Sequence, residues 1–292
     1  MKAALLLAHG TPDSLDEMPE YLTRVRGGRP PAPKLIEEMR RNYAAIGGRS
    51  PLTDITRAQA EALGRELGNG TPVYFGMRNW KPFIADVLAA AAGEGCTELV
   101  AVPLAPQYST LSVGKYRQAV EEARPPRLKV RFVESWHDHR GLIEAFAEKV
   151  REARALRPAA AFVFTAHSLP LSAVREGDPY PEQVAATAAG VAARSGLPRF
   201  RLAWQSAGRT PEPWIVPALE ETVGELAREG VTEVVVAPIG FVSDHTEVLY
   251  DIDVAAADSA RRLGITLSRI ASLNTSPLFI RALADVVRSA GG

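Results

Sequence analysis

Short apolar runs alternate with longer amphipathic stretches along the whole chain. In the first half, runs of strand length lie at 2–8, 72–77, 98–104 and 129–135, and helical spacing occurs at 34–45, 56–67 and 82–94. In the second half, strands are predicted at 161–166, 200–205, 233–239 and 265–270, and helices at 140–156, 180–195, 214–229 and 247–263. This regular order of strand, helix and strand favours parallel sheets covered by helices.

The two halves also resemble each other in sequence. LLLAHGTP at 5–12 is matched by VFTAHSLP at 163–170, and GCTELVAVPLAP at 95–106 is matched by GVTEVVVAPIGF at 230–241. The matched segments occur in the same order in each half, which indicates an internal duplication.

The duplication predicts two similar α/β domains. We expect the first to comprise residues 1–137 together with a C-terminal helix in 272–292, and the second to comprise 138–271. The total length of 292 residues is typical of two such domains rather than of one core. Two open sheets that face each other place the carboxyl ends of their strands around a shared cleft, where such folds bind ligands.

Charge and cysteine content exclude several classes of protein. Lys+Arg and Asp+Glu number 34 each, and this balance argues against nucleic-acid binding, which requires a basic surface. Cys96 is the single cysteine, so the chain by itself holds neither a disulfide nor a cysteine-ligated cluster. No apolar run reaches the roughly 18 residues that a membrane span needs. We therefore expect a cytoplasmic protein.

The halves differ at the positions that carry chemistry. Both first strands end in Ala-His, which places His9 and His167 at equivalent positions. In the other repeated segment, the first half has Ser112 where the second half has Glu247. Only the second half thus combines a histidine with a carboxylate at two strand ends, and we expect proton or metal chemistry there.

An acidic cluster follows in the same segment. Glu247 and Asp251 have i, i+4 spacing, which puts both carboxylates on one face of a helix. Because like charges at this spacing repel each other, the pair suggests a cation or another compensating partner between them. The alternative is a solvated helix face with an acidic first turn. His167 and His9 have an alternative interpretation as well, as hydrogen-bonded anchors of their loops.

Familiar nucleotide-binding and serine-hydrolase motifs are missing from the sequence. Eight separated segments resemble, in order, those of the ferrochelatases, and most closely the bacterial coproporphyrin III ferrochelatases. They are AHGTP (8–12), YAAIGGRSPL (43–52), FGMRNWKP (75–82), PQYSTLSVGKY (106–116), FTAHSLP (164–170), GDPYPEQV (177–184), AWQSAGRTPEPW (203–214) and GFVSDHTEVLYDID (240–253).

The resemblance implies two Rossmann-like domains of the class II chelatase type, with a cleft between them. It implies a lyase of haem biosynthesis that inserts Fe²⁺ into coproporphyrin III and releases two protons. By this resemblance, iron and porphyrin are substrates, and neither a tightly bound cofactor nor an iron–sulfur cluster is expected. The expected partner is an enzyme that binds transiently and accepts the haem product. We expect a monomer. Protoporphyrin IX as substrate, a cobalt or nickel tetrapyrrole chelatase, and a haem or metal carrier remain as alternatives.

The resemblance also implies roles for individual residues. His167 and Glu247 match the residues that handle metal and protons, Asp251 matches part of the route of the iron, and His9 stands where relatives carry a tyrosine on the metal side of the porphyrin. The expected substrate-binding residues, near the porphyrin carboxylates or along the cleft wall, are Arg26, Tyr43, Ser50, Tyr116, Tyr180 and Trp204.

Overall fold

The computed structural model describes residues 1–208 and 211–292, and these residues form two four-stranded parallel sheets. The first sheet has the order β2-β1-β3-β4 and the second the order β6-β5-β7-β8. Their strands are β1 (Lys2–Ala8), β2 (Val73–Met77), β3 (Glu98–Pro103), β4 (Lys129–Phe132), β5 (Ala161–His167), β6 (Arg201–Gln205), β7 (Glu233–Ala237) and β8 (Thr266–Arg269). The identical strand orders confirm the predicted α/β fold of two similar domains.

Helices connect the strands. They are α1 (Met18–Val25), α2 (Pro33–Ala45), α3 (Leu52–Leu67), α4 (Ile84–Gly93), α5 (Val113–Ala123), α6 (Arg140–Leu156), α7 (Leu171–Arg175), α8 (Tyr180–Ser195), α9 (Leu219–Arg228), α10 (Thr246–Leu249), α11 (Ala257–Arg262) and α12 (Pro277–Gly291). A 3₁₀ turn at Leu15–Glu17 precedes α1, and a π-helical segment at Asp251–Ala256 lies between α10 and α11.

The central strands are apolar because helices cover both faces of each sheet. One apolar cluster runs through the middle of the molecule and contains residues of both sheets, such as Leu6 and Phe164, packed with Phe146 of α6 and Phe279 of α12. The C-terminal helix α12 also lies against α3 and β3. The two sheets therefore share a continuous core.

Two predicted helices differ from the structure. The helix predicted over 247–263 is interrupted, because the Ala255 N–H bonds to the Tyr250 carbonyl five residues earlier, at 2.9 Å, which is the π-helical pattern. The helix predicted from 214 begins only at Leu219. The preceding residues form an irregular segment, in which the Ile215 N–H donates to the Leu169 carbonyl at 2.9 Å. Helices α1, α5 and α7 were not predicted.

Candidate active site

The strand order brings His167 and Glu247 together. His167 is the last residue of β5, and Glu247 lies in α10, which follows the neighbouring strand β7. The sheet changes winding direction between these two strands, and open α/β sheets bind ligands at such a point. His167 Nε2 lies 3.8 Å from Glu247 Oε1. This separation leaves the two groups facing each other without a direct hydrogen bond.

The tautomer of His167 follows from its backbone contact. Its Nδ1 is hydrogen-bonded to the carbonyl of Ser168, and because a carbonyl only accepts, Nδ1 carries the proton. In the neutral ring the lone pair therefore lies on Nε2, on the side of Glu247. The imidazole can accept a proton or bind a metal ion there.

Glu247 is flanked by a second histidine that the sequence did not single out as a site residue. His245 Nε2 lies 3.5 Å from Glu247 Oε2, while its Nδ1 donates to the Ser243 carbonyl at 3.0 Å. Burial by itself raises the pKa of Glu247, but the neighbouring His167 and His245 outweigh it and hold that pKa well below its ordinary value. Glu247 is thus a carboxylate, and 41% of its side-chain surface remains accessible.

Asp251 begins the π-helical segment after Glu247. Burial raises the pKa of its carboxyl from 3.8 to about 6, and the nearby charge of Glu247 adds to this effect. The Ser206 hydroxyl donates a hydrogen bond to Asp251, which opposes the shift. Ser206 directly follows β6 and has a φ of 58°, a conformation that residues other than glycine rarely adopt.

His9 has the same local geometry as His167 but a different partner. Its Nδ1 donates to the Gly10 carbonyl at 3.0 Å, and its Nε2 accepts from Asn79 Nδ2 at 2.9 Å. Burial, followed by the positive charge of Arg78, lowers the pKa of His9 to about 4, so the ring is neutral. Both ring nitrogens are engaged by the protein. A role of His9 at the metal, which the resemblance implies, stays a prediction, and it would require His9 Nε2 to part from Asn79.

Gly10 allows this contact to form. Its φ is 85°, and a Cβ at this position would lie 2.8 Å from the Trp80 backbone nitrogen. The end of β1 can approach the loop after β2 this closely only because residue 10 lacks a side chain. The approach brings Asn79 to His9, and the Asn79 N–H also bonds to the His9 carbonyl at 2.9 Å.

Comparison with known proteins identifies the family. The sequence model of the ferrochelatase family matches residues 1–290 of this chain. The chain belongs to the ferrochelatase family. Its curated relatives include the ferrochelatase of Deinococcus radiodurans, which is 43% identical over 97% of this chain and 94% of the relative. That of Thermus thermophilus is 44% identical over 98% of each chain. The coproporphyrin III ferrochelatase of Geobacillus kaustophilus is 38% identical over 97% of this chain and 94% of the relative.

Solved structures support the same fold at low sequence identity. SirB from Bacillus subtilis, with Fe³⁺, superposes with a TM-score of 0.63 at 12% identity and covers 99% of this chain and 95% of its own. CbiX, the terminal enzyme of sirohaem biosynthesis in denitrifying bacteria, gives a TM-score of 0.61 at 15% identity and covers 99% of both chains. These similarities show the class II chelatase fold of this ferrochelatase.

Family membership defines the general activity. Ferrochelatases are lyases of haem biosynthesis that insert a metal ion into a porphyrin. In the part of the chain that the structure describes, no helix is long and apolar enough to cross a membrane. In the same residues, no three His, Cys, Asp or Glu side chains form a site that could hold a metal ion without further ligands.

The residues predicted near the porphyrin carboxylates have unequal access to solvent. Arg26 follows α1 and is exposed. Tyr43 is only 1% exposed and packs in an apolar cluster, while Ser50 is 6% exposed and accepts a hydrogen bond from the Leu52 N–H at 3.4 Å. Tyr116 is also buried, under the guanidinium of Arg78, which lies 5.5 Å from its ring centroid. The contact of Tyr43 and Ser50 with substrate carboxylates stays a prediction.

The predicted aromatic wall is largely inside the protein. Tyr180 and Trp204 are both buried, and their ring centroids lie 5.9 Å apart. Trp204 precedes Gln205, which pairs with His167 across the two strands. The two rings therefore pack beside the strand end that carries His167.

Proposed function

We propose that this ferrochelatase inserts Fe²⁺ into coproporphyrin III and releases two protons, producing coprohaem. The observation that carries the proposal is the pair formed by His167 Nε2 and Glu247 Oε1, which face each other at 3.8 Å at the switch point of the second sheet. Metal insertion requires a group that accepts the pyrrole protons and a group that holds the ion near the ring. An imidazole lone pair beside a carboxylate provides both.

The two groups are oriented for this chemistry. Because Nδ1 of His167 donates to the Ser168 carbonyl, Nε2 is the ring nitrogen that faces Glu247, and Glu247 is held as a carboxylate by the histidines on either side. As pyrrole protons leave the macrocycle, the carboxylate stabilises the imidazolium that forms at His167. One lone pair cannot bind a proton and the ion at once, so His167 Nε2 takes the pyrrole protons one after the other and passes each to solvent, to which its side chain is 31% exposed. The Glu247 carboxylate then holds Fe²⁺, which keeps most of its coordination positions for the porphyrin nitrogens and can be transferred.

Asp251 extends the polar surface beyond Glu247. We place it on the route by which iron reaches the pair, because its carboxylate lies near enough to Glu247 for their charges to interact. A divalent cation relieves the repulsion between the two carboxylates. His9 is assigned a positioning role in the opposite wall, since Asn79 occupies its Nε2.

The preference for coproporphyrin III is supported by two observations. Relatives in Geobacillus that are 38% identical to this chain bear the name coproporphyrin III ferrochelatase. The exposed guanidinium of Arg26 is suited to one of the propionates that coproporphyrin carries where protoporphyrin has vinyl groups.

The test is Fe²⁺ insertion with coproporphyrin III and protoporphyrin IX in parallel, measured for the wild type and for His167→Ala and Glu247→Ala. We expect the wild type to prefer coproporphyrin III and each variant to lose about 100-fold or more in kcat. Equal rates for wild type and His167→Ala would refute the mechanism. A preference for protoporphyrin IX would refute the substrate assignment alone.

A further inference from the structure

Gln205 connects the two elements that carry the catalytic pair. It is the last residue of β6, lies opposite His167 in the strand pairing and is 4% exposed. Its side-chain Nε2 donates to the backbone carbonyl of Glu247 at 2.8 Å. Its Oε1 accepts from the Thr165 hydroxyl at 2.7 Å. One buried amide thus joins β5, β6 and α10.

The partners define the orientation of this amide. A backbone carbonyl only accepts, so the nitrogen of Gln205 must face Glu247, and the oxygen then faces the Thr165 hydroxyl as an acceptor. Thr165 lies two residues before His167 on the same strand, and so on the same face of the sheet. The strand that holds His167 is therefore tied, through one side chain, to the backbone of Glu247.

Glu247 lies in the first turn of an irregular helix. The helix α10 comprises Thr246–Leu249 and continues through Tyr250 into the π-helical segment Asp251–Ala256. The Tyr250 N–H bonds to the Thr246 carbonyl at 2.7 Å, whereas the Ala255 N–H bonds to the Tyr250 carbonyl five residues earlier. The hydrogen bond from Gln205 is therefore an additional restraint on the Glu247 backbone, just before the helix changes its geometry.

The first domain provides an internal comparison. There the equivalent of His167 is His9, and the residue that follows β2 in the position corresponding to Gln205 is Arg78. The first domain also has Ser112, at the start of α5, where the second has Glu247. The amide support is thus present in the half that carries the carboxylate and absent from the half that lacks it.

We propose that Gln205 is a positioning residue, which fixes the Glu247 backbone relative to β5 and so sets the distance between His167 Nε2 and the Glu247 carboxylate. This inference rests on the proposed role of that pair in metal insertion. Because the amide contacts the backbone of Glu247, its loss displaces the carboxylate without changing the residues expected to bind the porphyrin. A small displacement of a catalytic group reduces turnover more than substrate binding.

The test compares Gln205→Met with the wild type in Fe²⁺ insertion, with Gln118→Met as a matched control at an exposed glutamine of α5. We expect Gln205→Met to lower kcat by about 10- to 100-fold and to change the KM for porphyrin by less than about twofold. In a Glu247→Ala background the same substitution should cause no further loss. Unchanged kcat, or an additional full loss in that background, overturns the inference.

A second pair of variants keeps the test decisive if Gln205→Met does not fold. Thr165→Val removes the hydroxyl that anchors the amide, and Thr165→Ser retains it. We expect a lower kcat for Thr165→Val and recovery of most of the rate for Thr165→Ser; equal rates for the two variants overturn the inference. If the wild type inserts iron into neither porphyrin, the proposed function fails instead, so the two failures are distinguishable.

Discussion

His9 Nε2 accepts a hydrogen bond from Asn79 Nδ2 at 2.9 Å, and this contact separates the roles of the two repeated histidines. Both rings donate from Nδ1 to the carbonyl of the next residue. In the second domain Nε2 faces a carboxylate, whereas in the first domain it is satisfied by an amide. The duplication has thus kept the same side chain and changed what its second nitrogen contacts.

The first prediction concerns the unequal contributions of the two histidines. We expect His9→Ala to lower kcat for Fe²⁺ insertion by about tenfold or less, because His9 Nε2 is already bonded, while His167→Ala lowers it by about 100-fold or more. Steady-state rates at saturating Fe²⁺ and porphyrin give the kcat of each variant. Equal losses in the two variants would show that His9 leaves Asn79 and takes part in the reaction.

The second prediction concerns the stability of the metal-free protein between pH 4 and pH 8. The pKa of Asp251 is raised from 3.8 to about 6, so the folded state binds this proton more tightly than the unfolded chain. Its ionisation therefore destabilises the fold progressively as pH rises from about 4 to 6, and the penalty remains constant above that range. Asp251→Asn removes the penalty.

We expect Asp251→Asn to gain on the order of 1 kcal/mol relative to wild type at pH 8, and to show little difference near pH 4. Urea denaturation at several pH values measures the difference in free energy of unfolding between Asp251→Asn and wild type. The control is Asp258→Asn, a change at an exposed side chain of α11. If this difference does not increase between pH 4 and pH 7, the result contradicts the raised pKa of Asp251.

The sequence was sufficient to predict how His167 and Glu247 meet. The repeated strands place each residue after one of two equivalent segments, and parallel strands of this kind put their carboxyl ends on one edge. The break after α10 was not predictable in this way, because Glu247 and Asp251 have the i, i+4 spacing of a regular helix. The π-helical hydrogen bonds of 251–256 have no counterpart in that spacing.

The supporting side chains were also beyond sequence analysis. Gln205 reaches Glu247 because of strand register, since it stands opposite His167 in the pairing of β5 with β6. Asn79 reaches His9 because Gly10 permits a close approach of two loops. Hydrophobic periodicity identifies strands but does not define which residues lie opposite each other across them.

The third prediction tests the recognition of porphyrin carboxylates. Arg26 is exposed after α1, and an arginine can bind a propionate through two parallel hydrogen bonds. We expect Arg26→Gln to lower kcat/KM for coproporphyrin III by about tenfold and to affect protoporphyrin IX less. Arg127→Gln, at an exposed position in the loop after α5, serves as the control for a change of net charge. Equal losses with both porphyrins would exclude Arg26 from the discrimination between them.

The fourth prediction concerns polar contacts that join the two domains. Asp178 Oδ2 in the second domain accepts from the Ser109 hydroxyl at 3.0 Å and from the Thr110 N–H and hydroxyl at 2.8 Å each. Its Oδ1 accepts from the Tyr180 N–H at 3.1 Å, at the start of α8. A single buried carboxylate thus satisfies four donors, three of which belong to the first domain.

Truncation of this carboxylate leaves buried donors without hydrogen-bond partners. Each such donor lowers the free energy of unfolding by more than an exposed ion pair typically contributes to it. We therefore expect Asp178→Ala to lower the free energy of unfolding by about 2 to 4 kcal/mol. Asp178→Asn should lower the free energy of unfolding by less, because the amide oxygen can still accept hydrogen bonds. Urea denaturation at neutral pH measures both, with Asp138→Ala as a control at an exposed aspartate. A change of less than about 0.5 kcal/mol for Asp178→Ala would mean that water replaces the carboxylate and that these four hydrogen bonds contribute little to stability.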